Sequence, residues 1–253
     1  MKGAKPETQA IFYDAYVSVC FASAKIYGLQ AWLMLLYSGC LEINFAMVLT
    51  VLDTFSAIEQ RRAVKHYDPE FIMPAEDKKR LLSLAMLSPT SFNIQNWRFV
   101  VVEDPEIRKQ LKAAAWHQDQ VTDAALVIVL CGCLNSWSDQ PERYWQTAPE
   151  EVRAFLLPAI ANFYQGKPQV QRDEIMRSSG IAAQTLMLAA QSMGYDSCPM
   201  VGFDTEQVKE IINLPKDHEI ALMVVIGKSL QPARARGGQL PLENVVITDR
   251  FPG

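Results

Sequence analysis

Three short segments of this chain concentrate residue types that bind charged or flat ligands. The first is Arg61-Arg62-Ala63-Val64-Lys65, three cations in five residues beside apolar neighbours. Guanidinium groups bond phosphate oxygens in bidentate fashion and a lysine adds a mobile point charge, so this segment could hold a phosphate. Taken alone, the plainer reading is the solvated basic end of a short helix, where cations suit the dipole. The second runs Ser-Pro-Thr-Ser-Phe-Asn-Ile-Gln-Asn-Trp-Arg-Phe from Ser88 to Phe99. Its hydroxyls and amides could meet the edge of a flat heteroaromatic ring, although Ser, Thr and Asn are also ordinary turn residues. The third runs from Gly194 to Asp204, Gly-Tyr-Asp-Ser-Cys-Pro-Met-Val-Gly-Phe-Asp. Gly202 would let the backbone approach a ligand closely. The plainer reading is a helix C-cap, a connecting strand and the next N-cap.

The elements that must position these segments are legible in part. Asp53 or Thr54 caps a short helix through Gln60. Pro74 and the acids Glu76 and Asp77 open a second helix, whose apolar face is Leu81, Leu82, Leu84, Ala85 and Leu87 and which Ser88-Pro89 ends. Arg98 to Glu103 reads as a strand, and Asp104-Pro105 starts a helix with Ile107, Leu111 and Ala114 on one side. Leu126 to Cys131 is wholly apolar, as a central strand covered on both faces would be. Ser136 to Gln165 reads as two helical pieces broken near Pro149 and Pro158. A long helix follows from Asp173 to Met193, stopped by Gly194. A short helix from Asp204 to Ile211, a strand from Ala221 to Ile226 and an extended tail marked by Gly237, Gly238 and Pro241 complete the chain. The reading is α+β, a small sheet sandwiched by helices, with no internal repeat.

Composition narrows the classes. A net charge of −4 over 253 residues argues against a nucleic-acid partner. The five cysteines are odd in number and form no disulfide framework; Cys131-Gly132-Cys133 lies in an apolar run and reads as buried free thiols. That suits a reducing cytoplasm. His66, His117 and His218 are not spaced as metal ligands, so no metal is expected. Residues 1–46 differ from the remainder. Ile26 to Leu41 carries no charge, yet a membrane span needs about 20 apolar residues, and a membrane partner is not expected. We read residues 1–46 as a separate segment and residues 47–253 as the folded domain. Met47 is favoured as the natural start over a membrane-associated helix.

Taken together, the segments resemble the nitroreductase family of flavoproteins. The pieces R-R-x-V-K, S-P-T-S-F-N-x-Q-x-W-R-F-V-V-V, G-Y-D-S-C-P-M-V-G-F-D and Q-L-P-L-E-N-V-V occur in the family's order between Leu52 and Phe251. The resemblance implies an α+β fold with a mixed central sheet flanked by helices, and an intertwined homodimer with two FMN sites at the interface. It implies that Arg61, Arg62, Ala63 and Lys65 belong to the FMN site, the arginines at the phosphate and ribityl end and Lys65 near the N1/O2 edge. Pro89, Thr90 and Ser91 would reach the partner subunit's cofactor, with Asn93 and Gln95 nearer the chain's own. Gln118 matches a polar amide facing the ring, and Pro199, Met200, Val201 and Gly202 would supply backbone contacts. Many relatives carry Lys and Arg at positions matching Gly237 and Gln239; here the phosphate role passes to Arg236. Ala63 stands where many relatives have Ser, and Asn96 where they often have Pro.

The implied activity is ping-pong reduction of nitroaromatics, quinones or similar electron-poor molecules, with NADH or NADPH as donor. No side chain is assigned as nucleophile, acid or base, because the cofactor carries the redox chemistry. A flavin-dependent dehalogenase or dehydrogenase on the same scaffold, or a non-catalytic flavin-binding protein, is the rival reading. Trp137, Tyr144, Trp145, Phe155, Phe163 and Tyr164 could line a pocket for flat rings, or equally serve the core or the dimer.

Overall fold

The computed structural model describes residues 52–251. The boundary near Met47, the uncharged run Ile26 to Leu41, and Cys20 and Cys40 lie outside the described residues. Among the described residues, no helix is long and apolar enough to cross a membrane.

Helices start where the sequence supplies a cap. Asp53 accepts from the amides of Phe55 and Ser56 and opens α1, Thr54–Gln60. Pro74 precedes α2, Ala75–Ala85. Asp104 caps α3, Pro105–Ala114, and Asp204 caps α7, Thr205–Ile211, each through two backbone amides. Each such cap contributes about 1 kcal/mol. The other helices are α4, Gln120–Asp123; α5, Glu150–Tyr164; α6, Pro168–Ser192; and α8, Leu242–Val245.

Four strands form one sheet in the order β1-β2-β4-β3: β1 is Trp97–Val101, β2 Leu126–Cys133, β3 Asp196–Met200 and β4 His218–Gly227. Among the described residues all three strand pairings are antiparallel, and an isolated parallel bridge joins Ala63 to Ser197. Every residue of β2 is buried, as its unbroken apolar run requires. Val127, Val129 and Cys131 face a core shared with Leu111, Val121 and Val208, beneath α3, α4 and α7. Leu126, Ile128 and Leu130 face the opposite core, with Leu81 of α2 and Ala182 and Leu186 of α6. The sheet is therefore sandwiched by helices, and the fold is α+β.

The C-x-C motif is a packing device. A Cβ on Gly132 would stand 2.5 Å from Ile175 Cγ2, so the glycine admits α6 onto the sheet. Cys131 and Cys133 are buried and free, and burial pushes the Cys131 thiol up to about 12.

Several expected boundaries move: the strand expected from Arg98 to Glu103 is Trp97–Val101, and the last strand, expected from Ala221 to Ile226, is His218–Gly227. Pro158 does not break the chain: α5 runs through it from Glu150 to Tyr164, held by Ile160 and Tyr164 in a third apolar cluster. Only the Pro149 boundary survives, with the short 3-10 turn Pro141–Trp145 ahead of it. The long helix begins at Pro168, five residues before Asp173, because proline fits a first turn as well as a break. The tail includes the short helix α8 among its exposed residues.

Candidate functional site

The first and third segments lie side by side. Val64 N donates to Ser197 O at 3.1 Å, beside the Ala63–Ser197 bridge. On the other side, Leu230 N donates to His66 O and Tyr67 pairs with Ser229. The segment is thus strung between β3 and the stretch that leaves β4. A cavity of about 430 Å³ opens there, lined by Ala63 to His66 and by Gln231, Pro232, Ala233 and Arg234. That volume is within the range of small-ligand sites.

Lys65 and Arg234 are among its lining residues, and further cations collect at the end of α1. Arg62 Nη1 donates to Glu59 O at 2.6 Å and Arg61 O at 3.0 Å. Arg236 Nη2 lies 3.2 Å from Glu59 O and 3.4 Å from Ile58 O and Arg61 O. Both side chains therefore cap the carbonyl end of α1, the basic-helix-end role, while bringing two charges beside Arg61. Arg61 differs: its Nη1 is buried with no hydrogen-bond partner. Burial, then the charges of Arg236 and Arg62, lower its guanidinium below its ordinary range. Among the described residues, Arg61, Arg62, Lys65 and Arg236 make no ion pair with a carboxylate. A buried donor left unmade costs about 1–3 kcal/mol, so the cluster is arranged for an anion. Lys65 reaches the Cys198 thiol; burial raises that thiol, and Lys65 and Arg61 oppose the rise.

The third segment is braced by the chain before β2. Gln118 Nε2 donates to Gly202 O at 2.8 Å and to Ala115 O at 3.1 Å, and Gln118 Oε1 accepts from Gln120 Nε2 at 2.9 Å. The Gln118 amide is thus engaged in holding Gly202. Met200 is buried in the core and Val201 is exposed, so from Met200 only backbone is offered outward. A Cβ on Gly202 would stand 3.0 Å from the Trp116 ring. Trp116 and His117 both have left-handed backbone, φ 53° and 60°, and the indole is 68 % exposed. Neither residue is a glycine, and such conformations cost of order 1–3 kcal/mol each. Sequence reasoning missed Trp116, since its signal is a backbone angle.

The second segment lies elsewhere. It leads into β1, the sheet edge opposite β3, about 14 Å away at three strand spacings. Ser91 N donates to Glu174 Oε1 at 2.9 Å, and Gln95 N to Thr90 Oγ1 at 3.0 Å. Trp145 Nε1 donates to Phe92 O at 3.1 Å, and Asn93 Nδ2 to Tyr144 O at 2.9 Å. Phe92, Asn93 and Gln95 all have positive φ. Pro89, Thr90, Ser91, Asn93 and Gln95 are therefore fixed as a unit on α6 and the turn before α5, and the chain does not bring them to its own first and third segments. Gln95 instead lines an open cavity of about 500 Å³ with Trp97, Arg98, Arg143 and Tyr144. Trp137, Tyr144, Trp145 and Phe163 pack with Phe92 and Tyr164, and Phe155 is exposed. The aromatic residues thus support the second segment. Glu174, 3 % exposed on α6, was also invisible in the sequence.

Comparison with known proteins adds to this geometry. Residues 58–228 match the family model described as Nitroreductase family. The chain is 50 % identical over 196 residues to Protein DrgA of Synechocystis, covering 76 % of this chain and 93 % of that one. It is 27 % identical to the oxygen-insensitive NADPH nitroreductase of Helicobacter pylori, covering 70 % and 87 % of the two chains. A protein described as a nitroreductase from Exiguobacterium sibiricum, solved in complex with FMN, superposes with a TM-score of 0.73 at 30 % identity over 78 % of this chain and 98 % of that one.

Proposed function

The chain belongs to the nitroreductase family, and from that premise we propose that it is an FMN-dependent oxidoreductase. It takes electrons from NADH or NADPH and passes them to nitroaromatics, quinones or similar electron-poor small molecules. The observation that carries this reading is Arg61 Nη1, buried and without a partner at the centre of a cluster that includes Arg62, Lys65 and Arg236. A phosphate fits that donor set, because guanidinium groups bond its oxygens in parallel. FMN, when bound, supplies the two-electron chemistry and accepts and returns a hydride.

The chain's own part is to bind and to arrange charge. Arg61 gives the phosphate its free donor, and Arg62 and Arg236 raise the local positive potential. Lys65 supplies a fixed cation that answers the negative charge added by reduction. Pro199, Met200, Val201 and Gly202 contribute backbone, held by the Gln118 amide. Pro89, Thr90 and Ser91 serve the site of a partner subunit, since within one chain they occupy the opposite sheet edge; Asn93 and Gln95, expected nearer the chain's own site, lie with them there and go with the partner's site as well. A homodimer also accounts for the exposed Phe55, Leu240, Leu242 and Phe251, apolar side chains without cover in the single chain. The free thiols of Cys131, Cys133 and Cys198 support a reducing, cytoplasmic setting.

Steady-state kinetics test the alternating use of one site. With NADH or NADPH varied at several fixed levels of a quinone, reciprocal plots are expected to run parallel. Intersecting lines would contradict the ping-pong order, and the absence of nicotinamide oxidation would contradict the oxidoreductase reading itself.

A further inference from the structure

At the end of β2 and the start of β4, a thiol, a carboxylate and an imidazole converge away from the cation cluster. Cys133 stands directly opposite His218 in the β2–β4 register. Asp217 precedes His218, and its backbone carbonyl accepts from Leu134 N at 2.8 Å, which fixes the approach of the two chain segments. One carboxylate oxygen of Asp217 faces His218 Nδ1 at 2.8 Å and the other faces Cys133 Sγ at 3.9 Å. One ligand atom from each of the three residues lies within 4.8 Å of the others. Asn135 Nδ2, 3.4 Å from Asp217 Oδ2, orients the carboxylate from outside.

An irregularity in the sheet creates this meeting. The register shifts between Leu130 and Cys131: Leu130 pairs with Leu222 but Cys131 pairs with Ile220. Ala221 is the extra residue. In an unbroken ladder Cys133 would face Glu219, and the bulge puts His218 there. Bulges re-aim side chains and are over-represented beside functional sites. No sequence motif announces the cluster, since Cys133 and Asp217 are 84 residues apart.

We propose that Cys133, Asp217 and His218 form a binding site for a single zinc ion. Sulfur, nitrogen and oxygen in one set suit a borderline-soft divalent cation, and Zn²⁺ takes these three donor types at about 2.3, 2.0–2.1 and 2.0–2.2 Å. In a tetrahedron with those bond lengths the ligand atoms stand about 3.3–3.6 Å apart. The three ligand atoms now stand within 4.8 Å of one another, with Asp217 Oδ1 2.8 Å from His218 Nδ1 and Asp217 Oδ2 3.9 Å from Cys133 Sγ, so binding draws them together by side-chain rotation. Binding converts the Cys133 thiol to thiolate and releases its proton to solvent, and His218 binds as neutral imidazole through the ring nitrogen that carries no proton, its N–H on the other nitrogen. The fourth position is left for water. Asp217 is the most exposed of the three and gives the ion its path in. The ion would tie β2 to β4 at the open end of the sheet.

The test uses the full chain, free of any affinity tag and stripped of metal by chelator dialysis. One equivalent of Zn²⁺ is added, and bound metal is measured after gel filtration. Near one zinc per chain is expected for the unaltered protein, falling at least tenfold in Cys133→Ser and in His218→Ala. Substituting Co²⁺ should give a thiolate charge-transfer band that Cys133→Ser abolishes while Cys198→Ser retains it. Circular dichroism keeps the comparison to folded variants. Zinc retention by the unaltered protein no greater than by Cys133→Ser, or cobalt absorption without a thiolate band, would overturn the proposal. None of these readouts depends on flavin, so they stand apart from the test of the enzyme reading.

Discussion

Replacing Glu174 tests how the second segment is held. Its carboxylate is buried on α6 and accepts from Ser91 N at 2.9 Å and Ser178 Oγ at 2.7 Å. Its ion pair with Arg177 at 3.1 Å involves a largely exposed guanidinium and adds little. Hydrogen bonds to a charged group are worth about 1.5–3 kcal/mol each, and an orphaned buried amide costs about 1–3 kcal/mol. Against this, an apolar substitute recovers the desolvation of a buried carboxylate, which is several kcal/mol. The balance for Glu174→Leu is a loss of about 2 kcal/mol. Glu174→Gln keeps an oxygen for Ser91 and should lose about half as much. Urea unfolding measures both, and fluorescence titration with FMN measures what the loop contributes to binding. If the loss stays local to the loop, FMN affinity in Glu174→Leu falls up to about thirtyfold, with partial rescue in Glu174→Gln. Stability and FMN affinity in Glu174→Leu indistinguishable from the unaltered protein would refute the claim that this carboxylate positions the loop.

Three further outcomes follow from the same structure. Arg61→Ala should weaken FMN binding about 10- to 100-fold, the worth of one charge-assisted bond to phosphate; equilibrium dialysis reads the change, and unchanged affinity would remove Arg61 from the site. Gly132→Ala should destabilise the fold by about 1–3 kcal/mol in urea, because its methyl group would meet Ile175 at 2.5 Å; a neutral result would mean that α6 shifts freely. Burial pushes Tyr164 up to about 12, and burial with the Asp77 hydrogen bond does the same for Tyr195. Unfolded phenols ionise near pH 10, so stability should hold below about pH 10 and decline as pH rises toward 12, which thermal unfolding across alkaline pH would show or deny.

Local chemistry was the most legible part of the chain. Asp53, Asp104 and Asp204 are helix caps because a short carboxylate beside free amides has one good use, and each sits where the residue order puts it. β2 was readable because eight consecutive buried positions leave no polar residue in the run. Pro158 misled, since a proline inside a helix is costly in isolation while the packing of Ile160 and Tyr164 carries the helix past it. The cation cluster was legible as residue types, but Arg61's free donor and the caps made by Arg62 and Arg236 are facts of arrangement. Gln118 reads in the sequence as an amide that could face a ring, while its hydrogen bond to Gly202 is a contact spanning 84 residues that no local pattern encodes. Glu174, Trp116 and the Cys133–His218 pairing share that origin: each depends on register, burial or backbone angle.

One spectrum tests the flavin chemistry of this protein most directly. The purified protein, loaded with FMN and freed of unbound flavin, is titrated with NADH or NADPH in the absence of oxygen. The visible flavin bands should bleach with one equivalent of donor per bound flavin and return when a quinone or nitroaromatic is added. Bound flavin that neither nicotinamide reduces would favour a non-catalytic flavin-binding protein, and a chain that retains no flavin would contradict the account at its base.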